Sequence, residues 1–482
     1  MTPERTHATL IAKHSFEPEH HFYPRVINAS IHPLVRYFMG LGNLRIAERY
    51  CHLHPEADPD AVTALLGSAP RFFRWAGTDL FHVTTETGQR HMVVIETNSS
   101  PSGQKSMPLL DEAREQGGYA TLLERAFLPY IARRNLPKGE LAVLYDKNEM
   151  ETTGYAAALA DCCDEAVYLV PFLDEDPDPP ARFTNHGVLE VRTEDGQWRP
   201  IRAALRYVTQ RPWNRIPVLV RSALFNQILV CLAGGRNKML AAKAYDFFNA
   251  ELRAARLAIR APETIWDLSR DEVPLWVDRM GGCAVVKEPY ANAGQGVFTI
   301  TSPAELEVFM TAHHRYTRFI VQALIGNVRW SSNSRDGRIY HVGTVPDRSN
   351  QIFVADLRMM VGAAPDGFFP VAIYARRARL PLQKELDGTI ASWSMLGTNL
   401  SVKLPDGSWS TAGERLLQMD LRHFNRLGIG LDEIIEGYIQ TVMAVTAIDR
   451  MACRMLTQRQ TFRHRFFRSI SPDEALAREI CR

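Results

Sequence analysis

The chain has no long apolar run, no paired cysteines and almost no net charge, and each absence narrows what it can be. A membrane-spanning helix needs about 20 predominantly apolar residues. The most apolar stretch, IPVLVRSALFNQILVCLAGG, is broken by Arg221, Asn226 and Gln227. The opening MTPERTHATLIAKHSFEPEHHF lacks the apolar core of a secretory signal, so no export leader is expected. Seven cysteines are scattered without a CxxC pair, which argues against a disulfide framework or a zinc site. A reduced cytoplasmic chain is the expectation, with Cys162 and Cys163 packing in a helix. The net charge of +2 gives no electrostatic reason to expect a nucleic-acid partner. Neither a GxxxxGK[ST] loop nor a GxGxxG after a first strand occurs, which removes the P-loop and Rossmann nucleotide sites.

What is present is the composition of a globular protein, 46% hydrophobic and 23% charged over 482 residues, enough for two to four structural units. Residues 1 to about 70 read as mostly helical. TDLFHVTTETGQRHMVVIETN then alternates around a polar turn, the pattern of a β-hairpin. LAVLYDK, TTGYAAALADCC and AVYLVPF follow as strand, helix and strand, a βαβ unit. VLEVRTEDGQWRPIRAALRYV reads as a hairpin around Asp195-Gly196. GGRNKMLAAKAYDFFNAELRAARL is a helix opened by Gly234-Gly235. TRFIVQALIG, GRIYHVGTV, FVADLRMMV and FFPVAIYARRARL are expected to form one antiparallel sheet of four successive strands. The last hundred residues return to helix, with an arginine-rich end to which no activity is assigned. The expected units are residues 1–139, 140–233 (a small α/β domain) and 234–482, and the fold class is α/β (α+β).

Two strings carry the chemistry. In HMVVIETNSSPSG, Glu96 and Asn98 lie two residues apart and point to one face of a strand. Asp79, on the preceding hairpin strand, is placed to face them. Three such oxygen donors suit Mg²⁺, whereas the ordinary alternative is a polar surface hairpin. In CAVVKEPYANAGQGVFTI, Lys287 ends a strand and runs into a loop of little bulk containing Asn292, Gly294, Gln295 and Gly296. A lysine followed by exposed backbone amides is one way to hold ATP phosphates; a turn without a ligand is the other reading. Lys238, after Gly-Gly-Arg-Asn, is a second phosphate lysine or an ordinary helix-surface lysine.

Gln322, Ala323 and Leu324 lie on a strand whose backbone could read an adenine edge, or which is simply core. In Asp356-Leu357-Arg358 two charges share a strand face, with Arg376 and Arg377 near the end of the next strand. Guanidinium groups there would stabilise a transferring phosphoryl group, unless Asp356 and Arg358 form a structural pair. Asn399, in Gly397-Thr398-Asn399-Leu400, would contact metal or phosphate, or belong to a helix cap.

With these residues in place, the chain resembles the ATP-grasp superfamily over roughly residues 70 to 405. Its order is similar to the circularly permuted members, such as eukaryotic-type glutathione synthetase, because the Glu-x-Asn string precedes the lysine and loop. The resemblance implies that Asp79, Glu96 and Asn98 bind magnesium. It implies that Lys238, Lys287, Asn292 to Gly296 and Gln322 to Leu324 bind ATP, with Asn399 beside them. Arg358, and Arg376 or Arg377, would contact the reacting phosphoryl group. The implied activity joins a small-molecule carboxylate to an amine through an acyl phosphate, releasing ADP and phosphate, with a homodimer as a candidate assembly. An ATP-grasp phosphotransferase and a non-catalytic nucleotide-binding protein are the alternatives. The loop departs from glutathione synthetases in lacking consecutive glycines and an acidic residue, so glutathione synthesis itself is not implied.

Overall fold

The computed structural model describes residues 6–173, 176–208, 215–291, 294–386, 388–403 and 409–480. The α/β expectation holds, with strands gathered into three main sheets and helices packed on them. Short helices fill the first 66 residues, and no helix among the described residues is long and apolar enough to cross a membrane.

The first sheet is built on the expected βαβ unit. Strand Glu140–Tyr145 runs parallel to Val167–Pro171 and to Trp198–Tyr207, with helix Glu149–Cys163 as the crossover. LAVLY is apolar throughout because it is the central strand and all five residues are buried. The Asp195-Gly196 turn joins Leu189–Arg192 to Trp198–Tyr207, with Gly196 at φ +77° where a side chain would be strained. Thr9–Ile11, from far outside the 140–233 segment, adds an edge strand against Val167–Pro171.

The four late strands do not form one sheet. Phe319–Ala323 joins Thr264–Leu268, Ala284–Lys287 and Val297–Ile300 in a separate four-stranded antiparallel sheet. Ile339–His341, Ala355–Ala364 and Gly367–Arg377 belong to a six-stranded sheet, and they are not consecutive in it. The early strand Trp75–Thr85 is inserted between Ile339–His341 and Ala355–Ala364, bringing its hairpin partner Arg90–Ser99 with it. Sequence order favoured neighbours in the chain, but pairing followed the long apolar strands. Ala76 and Leu80 are buried in one core with Met359, Met360 and Val361.

Behind the hairpin lies the longest helix, Leu431–Arg454, which has seventeen buried residues and packs on Arg90–Ser99 and on helix Lys238–Leu252. Asp432 and Glu433 sit in its first turn, where they complement the helix dipole. Cys162 and Cys163 end the crossover helix, half-buried against the core, and burial pushes both thiols up, as packing residues rather than redox groups.

Candidate active site

The four-stranded and six-stranded sheets face one another across a cleft of about 840 Å³. One side supplies Lys287, Gln322, Ala323 and Leu324, the other Asp79, Glu96, Asp356 and Arg376. Lys238 enters from the first residue of its helix, and Gly294, Trp393 and Asn399 close the mouth. Residues more than 300 positions apart therefore converge only because the early hairpin lies inside the late sheet.

Lys287 is 7% exposed and its ammonium donates to Gln322 Oε1 at 2.6 Å, a neutral partner. Burial pushes its pKa down to about 8; Glu96 pulls it up and Lys238 down again. No carboxylate among the described residues lies within ion-pair distance of it. Lys238 Nζ donates to the Ala291 carbonyl at 2.5 Å and lies 3.4 Å from Glu96 Oε1. Asn237 accepts from Leu240 N–H and caps the helix, which fixes where Lys238 leaves the backbone. Two ammonium groups thus converge on a single, partly exposed carboxylate.

The expected magnesium set does not form. Asp79 and Glu96 are register partners, but a register shift follows immediately and their side chains part. Asp79 accepts from Arg358 Nε at 2.6 Å and Nη2 at 2.7 Å, and Arg376 Nη2 lies 2.9 Å from its second oxygen. Burial alone would raise this carboxyl, but Arg358 and then Arg376 outweigh it and hold it at about 2. Asn98 faces Gly77 across the hairpin and its Oδ1 accepts from Arg236 Nη1 at 3.0 Å. No group of three acidic, histidine or cysteine side chains among the described residues could share a metal ion. Asp79 and Asn98 are engaged by guanidinium groups, so these three residues do not fit a shared magnesium cage.

Arg376 also forms a bidentate pair with Asp356, whose second oxygen accepts from Thr398 Oγ1 at 2.9 Å. Burial raises Asp356 even against this pairing. Arg358 is spent on Asp79, Tyr374 Oη and the Ser102 carbonyl, whereas Arg376 keeps Nη1 without a partner among the described residues. Arg377 lies away from the cleft, its guanidinium over the Phe353 ring at 4.5 Å.

The adenine-hinge expectation is also corrected at backbone level. Ala323 N–H donates to the Glu263 carbonyl at 2.8 Å, and Leu324 N–H to Ser332 Oγ at 2.7 Å. Ala323 and Leu324 line the cleft as apolar surface, while Gln322 holds Lys287. In the phosphate loop, Asn292 and Ala293 lie outside the described residues. Gly294 and Gly296 have φ of +78° and +62°, and Gln295 is exposed and off the cleft. A Cβ on Gly294 would approach Asn399 Nδ2 to 2.6 Å and the Trp393 ring to 2.8 Å, so the loop rests directly on the segment carrying Asn399.

A second cavity, of about 820 Å³, lies on the other side of Glu96 and is lined by Asn98, Lys105, Lys147, Arg236 and Arg358. Sequence reading missed Lys147, Arg236 and Glu151. Glu151, wholly buried on the crossover helix, accepts from Ser102 Oγ and from Gly103 and Gln104 N–H at 2.7, 2.8 and 3.0 Å. It clamps the turn after Asn98 against the first sheet. The one available signal was Lys147, two residues past the end of a central parallel strand, where open α/β sheets place ligands.

No family model and no curated protein matches the chain. Several solved structures show a distant likeness to it. A RimK-domain ATP-grasp protein from Sphaerobacter thermophilus is 14% identical at a TM-score of 0.29, covering 62% of this chain and 99% of that one. A glutathione synthetase-like effector from Globodera pallida is 10% identical at 0.36, covering 72% and 86%. The D-alanine–D-alanine ligase of Coxiella burnetii is 12% identical at 0.22, covering 66% and 97%. The functional reading is carried by the chain's own residues.

Proposed function

We propose that the chain is an ATP-dependent carboxylate–amine ligase built on a circularly permuted ATP-grasp fold. The observation that carries this reading is Lys287, a buried ammonium whose bonded partner is a neutral amide, facing Lys238 in one cleft. A buried cation without a counter-charge is costly, and a polyphosphate supplies that charge.

In this reading the purine lies among Leu324, Ile325, Trp393 and Leu396, and the phosphates reach Lys287 and Lys238. The glycine-bearing loop covers the phosphates and keeps water from the reactive intermediate. The acid binds beside Glu96, where the two cavities meet. Its carboxylate oxygen attacks the γ-phosphorus and ADP leaves. The amine nitrogen then attacks the acyl carbon, the C–O bond to phosphate breaks, and an amide, phosphate and a proton result. Phosphorylation is needed because a carboxylate oxygen is otherwise a poor leaving group. Arg376, through its free Nη1, stabilises the charge on the transferring group, while Arg358 positions Asp79.

The test is ADP release from ATP with a panel of amino acids and amines. The expected result is turnover that needs both an acid and an amine, with free phosphate and an amide as products. Lys287→Met should abolish nucleotide binding. A stable phosphorylated product would instead indicate a phosphotransferase, and unaltered ATP binding in Lys287→Met would overturn the site.

A further inference from the structure

We propose that the acid accepted at this site carries a second anionic group, a carboxylate or a phosphate, seated between Lys105 and Lys147. This rests on the ligase reading and names the class of its acid substrate.

The second cavity is lined by five cationic side chains and one carboxylate, that of Glu96. Arg358 and Arg376 are neutralised by Asp79 and Asp356. The two lysines are not. Lys105 is 7% exposed, its ammonium lies 5.2 Å from the centre of the Tyr23 ring, and no carboxylate among the described residues pairs with it. Lys147 likewise has no acidic partner within ion-pair distance. Burial pushes both ammonium groups down, Lys147 to about 8 with Arg236 as the next cause. Glu151 near Lys105, and Asp146 and Glu96 near Lys147, offset part of this charge without making an ion pair, and an anion seated between the two lysines completes the compensation.

The rest of the lining offers donors as well. Asn98 Nδ2 is buried without a partner in the same cavity, and Arg236 reaches in while donating to Asn98 Oδ1 and the Ser99 carbonyl. The two lysines are rigidly mounted. Lys105 sits on the turn that Glu151 clamps, and Lys147 directly follows the central strand Glu140–Tyr145. Because Glu96 borders both cavities, one molecule can present its reacting carboxylate to the nucleotide cleft and its other anion to the lysines. An acid with one carboxylate would leave both ammonium groups without an ion-pair partner.

The test uses the full chain with ATP and hydroxylamine, which traps an acyl phosphate as a hydroxamate and so removes the need to know the natural amine. The acids are succinate, glutarate, aspartate, glutamate and 3-phosphoglycerate, each carboxylate paired with its monoamide. Binding of the same acids is read in parallel by calorimetry with a non-hydrolysable ATP analogue. The expected result is a diacid or phospho-acid preferred over its singly charged counterpart at least tenfold in kcat/KM. That preference should collapse about tenfold, through KM, in Lys105→Met and in Lys147→Met, the effect of one lost charge-assisted contact. Both substitutions remove an ammonium without an ion-pair partner at similar volume, so unfolding should come at the same or higher temperature; a lower one would mark the lysines as structural and overturn the proposal. Equal use of both acid classes, or binding of none of the doubly charged acids, overturns it too. Loss of nucleotide binding in Lys287→Met alongside singly charged acid use would leave the ligase reading standing and remove only this inference.

Discussion

The carboxylate of Asp79 is bonded at both oxygens to the guanidinium of Arg358, 279 positions later in the chain, at 2.6 and 2.7 Å. The pair ties the early hairpin to the late strands, with Asp79 lining the cleft and Arg358 the neighbouring cavity. It is a structural link rather than a metal ligand, and this gives it a measurable signature.

Asp79→Ala leaves two buried guanidinium groups short of a counter-charge, and breaking a buried pair of this kind costs about 3–5 kcal/mol. Urea unfolding should show that loss. The acid limb gives an independent check. Asp79 is held at about 2 in the fold against 3.8 in a model peptide, so its stabilisation is complete above 3.8. It is lost as the pH falls from 3.8 towards 2. Asp79→Asn should flatten the stability profile across that window. An unchanged profile would mean that the carboxylate is not paired as described.

Glu96 should behave in the opposite way. Its side chain is 29% exposed and, among the described residues, Lys238 is the one charged group within ion-pair distance, at 3.4 Å. Glu96→Ala should leave the unfolding midpoint nearly unchanged while turnover falls about tenfold, the scale of one lost charge-assisted contact, because the carboxylate that holds the Lys238 ammonium in the cleft is gone. ADP release under saturating ATP reads this directly. Full activity in the variant would remove Glu96 from the site.

Much of this arrangement could be read from the sequence, though unevenly. The hairpin, the βαβ unit and the lysine strand have strong local periods, and they appear where those periods place them. The pairing of strands did not follow, because Phe319–Ala323 and Ala355–Ala364 have equally apolar patterns and nothing local says that they enter different sheets. The cleft was legible as a set of residues, but the partner of each was not. Asp79 looked like a metal ligand because its guanidinium partners lie on strands that sequence order did not bring near it. Lys147 was missed because it sits in no motif, and its chemistry arises only when the turn after Asn98 docks on the first sheet.

Nucleotide affinity should depend on pH through Lys287. Its ammonium faces Glu96, Lys238 and Gln322, with Asp79 further off, and in the empty cleft its pKa lies at about 8. Phosphate oxygens favour the charged form, so binding takes up a proton above pH 8, and affinity for a non-hydrolysable ATP analogue should fall about tenfold per pH unit there. Calorimetry in buffers of different ionisation enthalpy measures the uptake. Lys287→Arg should bind without that uptake, because arginine stays protonated. Stability rises with pH here as it does for Asp79, but through a penalty that is relieved rather than a pairing that forms. A depressed lysine costs stability below pH 8, and that cost fades as the pH rises from 8 towards 10.5.

The loop over the phosphates gives the most local prediction. Gly294 has φ +78°, and a Cβ there would press within 2.6 Å of Asn399 Nδ2 and 2.8 Å of the Trp393 ring. Gly294→Ala therefore meets two penalties, a left-handed backbone and a crowded neighbour, together worth about 1–3 kcal/mol. Both are felt where the loop rests on the segment carrying Asn399, remote from the core. Global stability should change little, while KM for ATP rises about 5- to 150-fold and ATP hydrolysis without an amine increases relative to amide formation, because a loop that closes poorly admits water. Gly282→Ala is the control. It also has a positive φ, of +79°, but its Cβ would meet open space and it lies outside the cleft lining. It should therefore cost stability alone and leave KM for ATP unchanged. Equal effects of the two substitutions on KM would show that the loop does not close over the nucleotide.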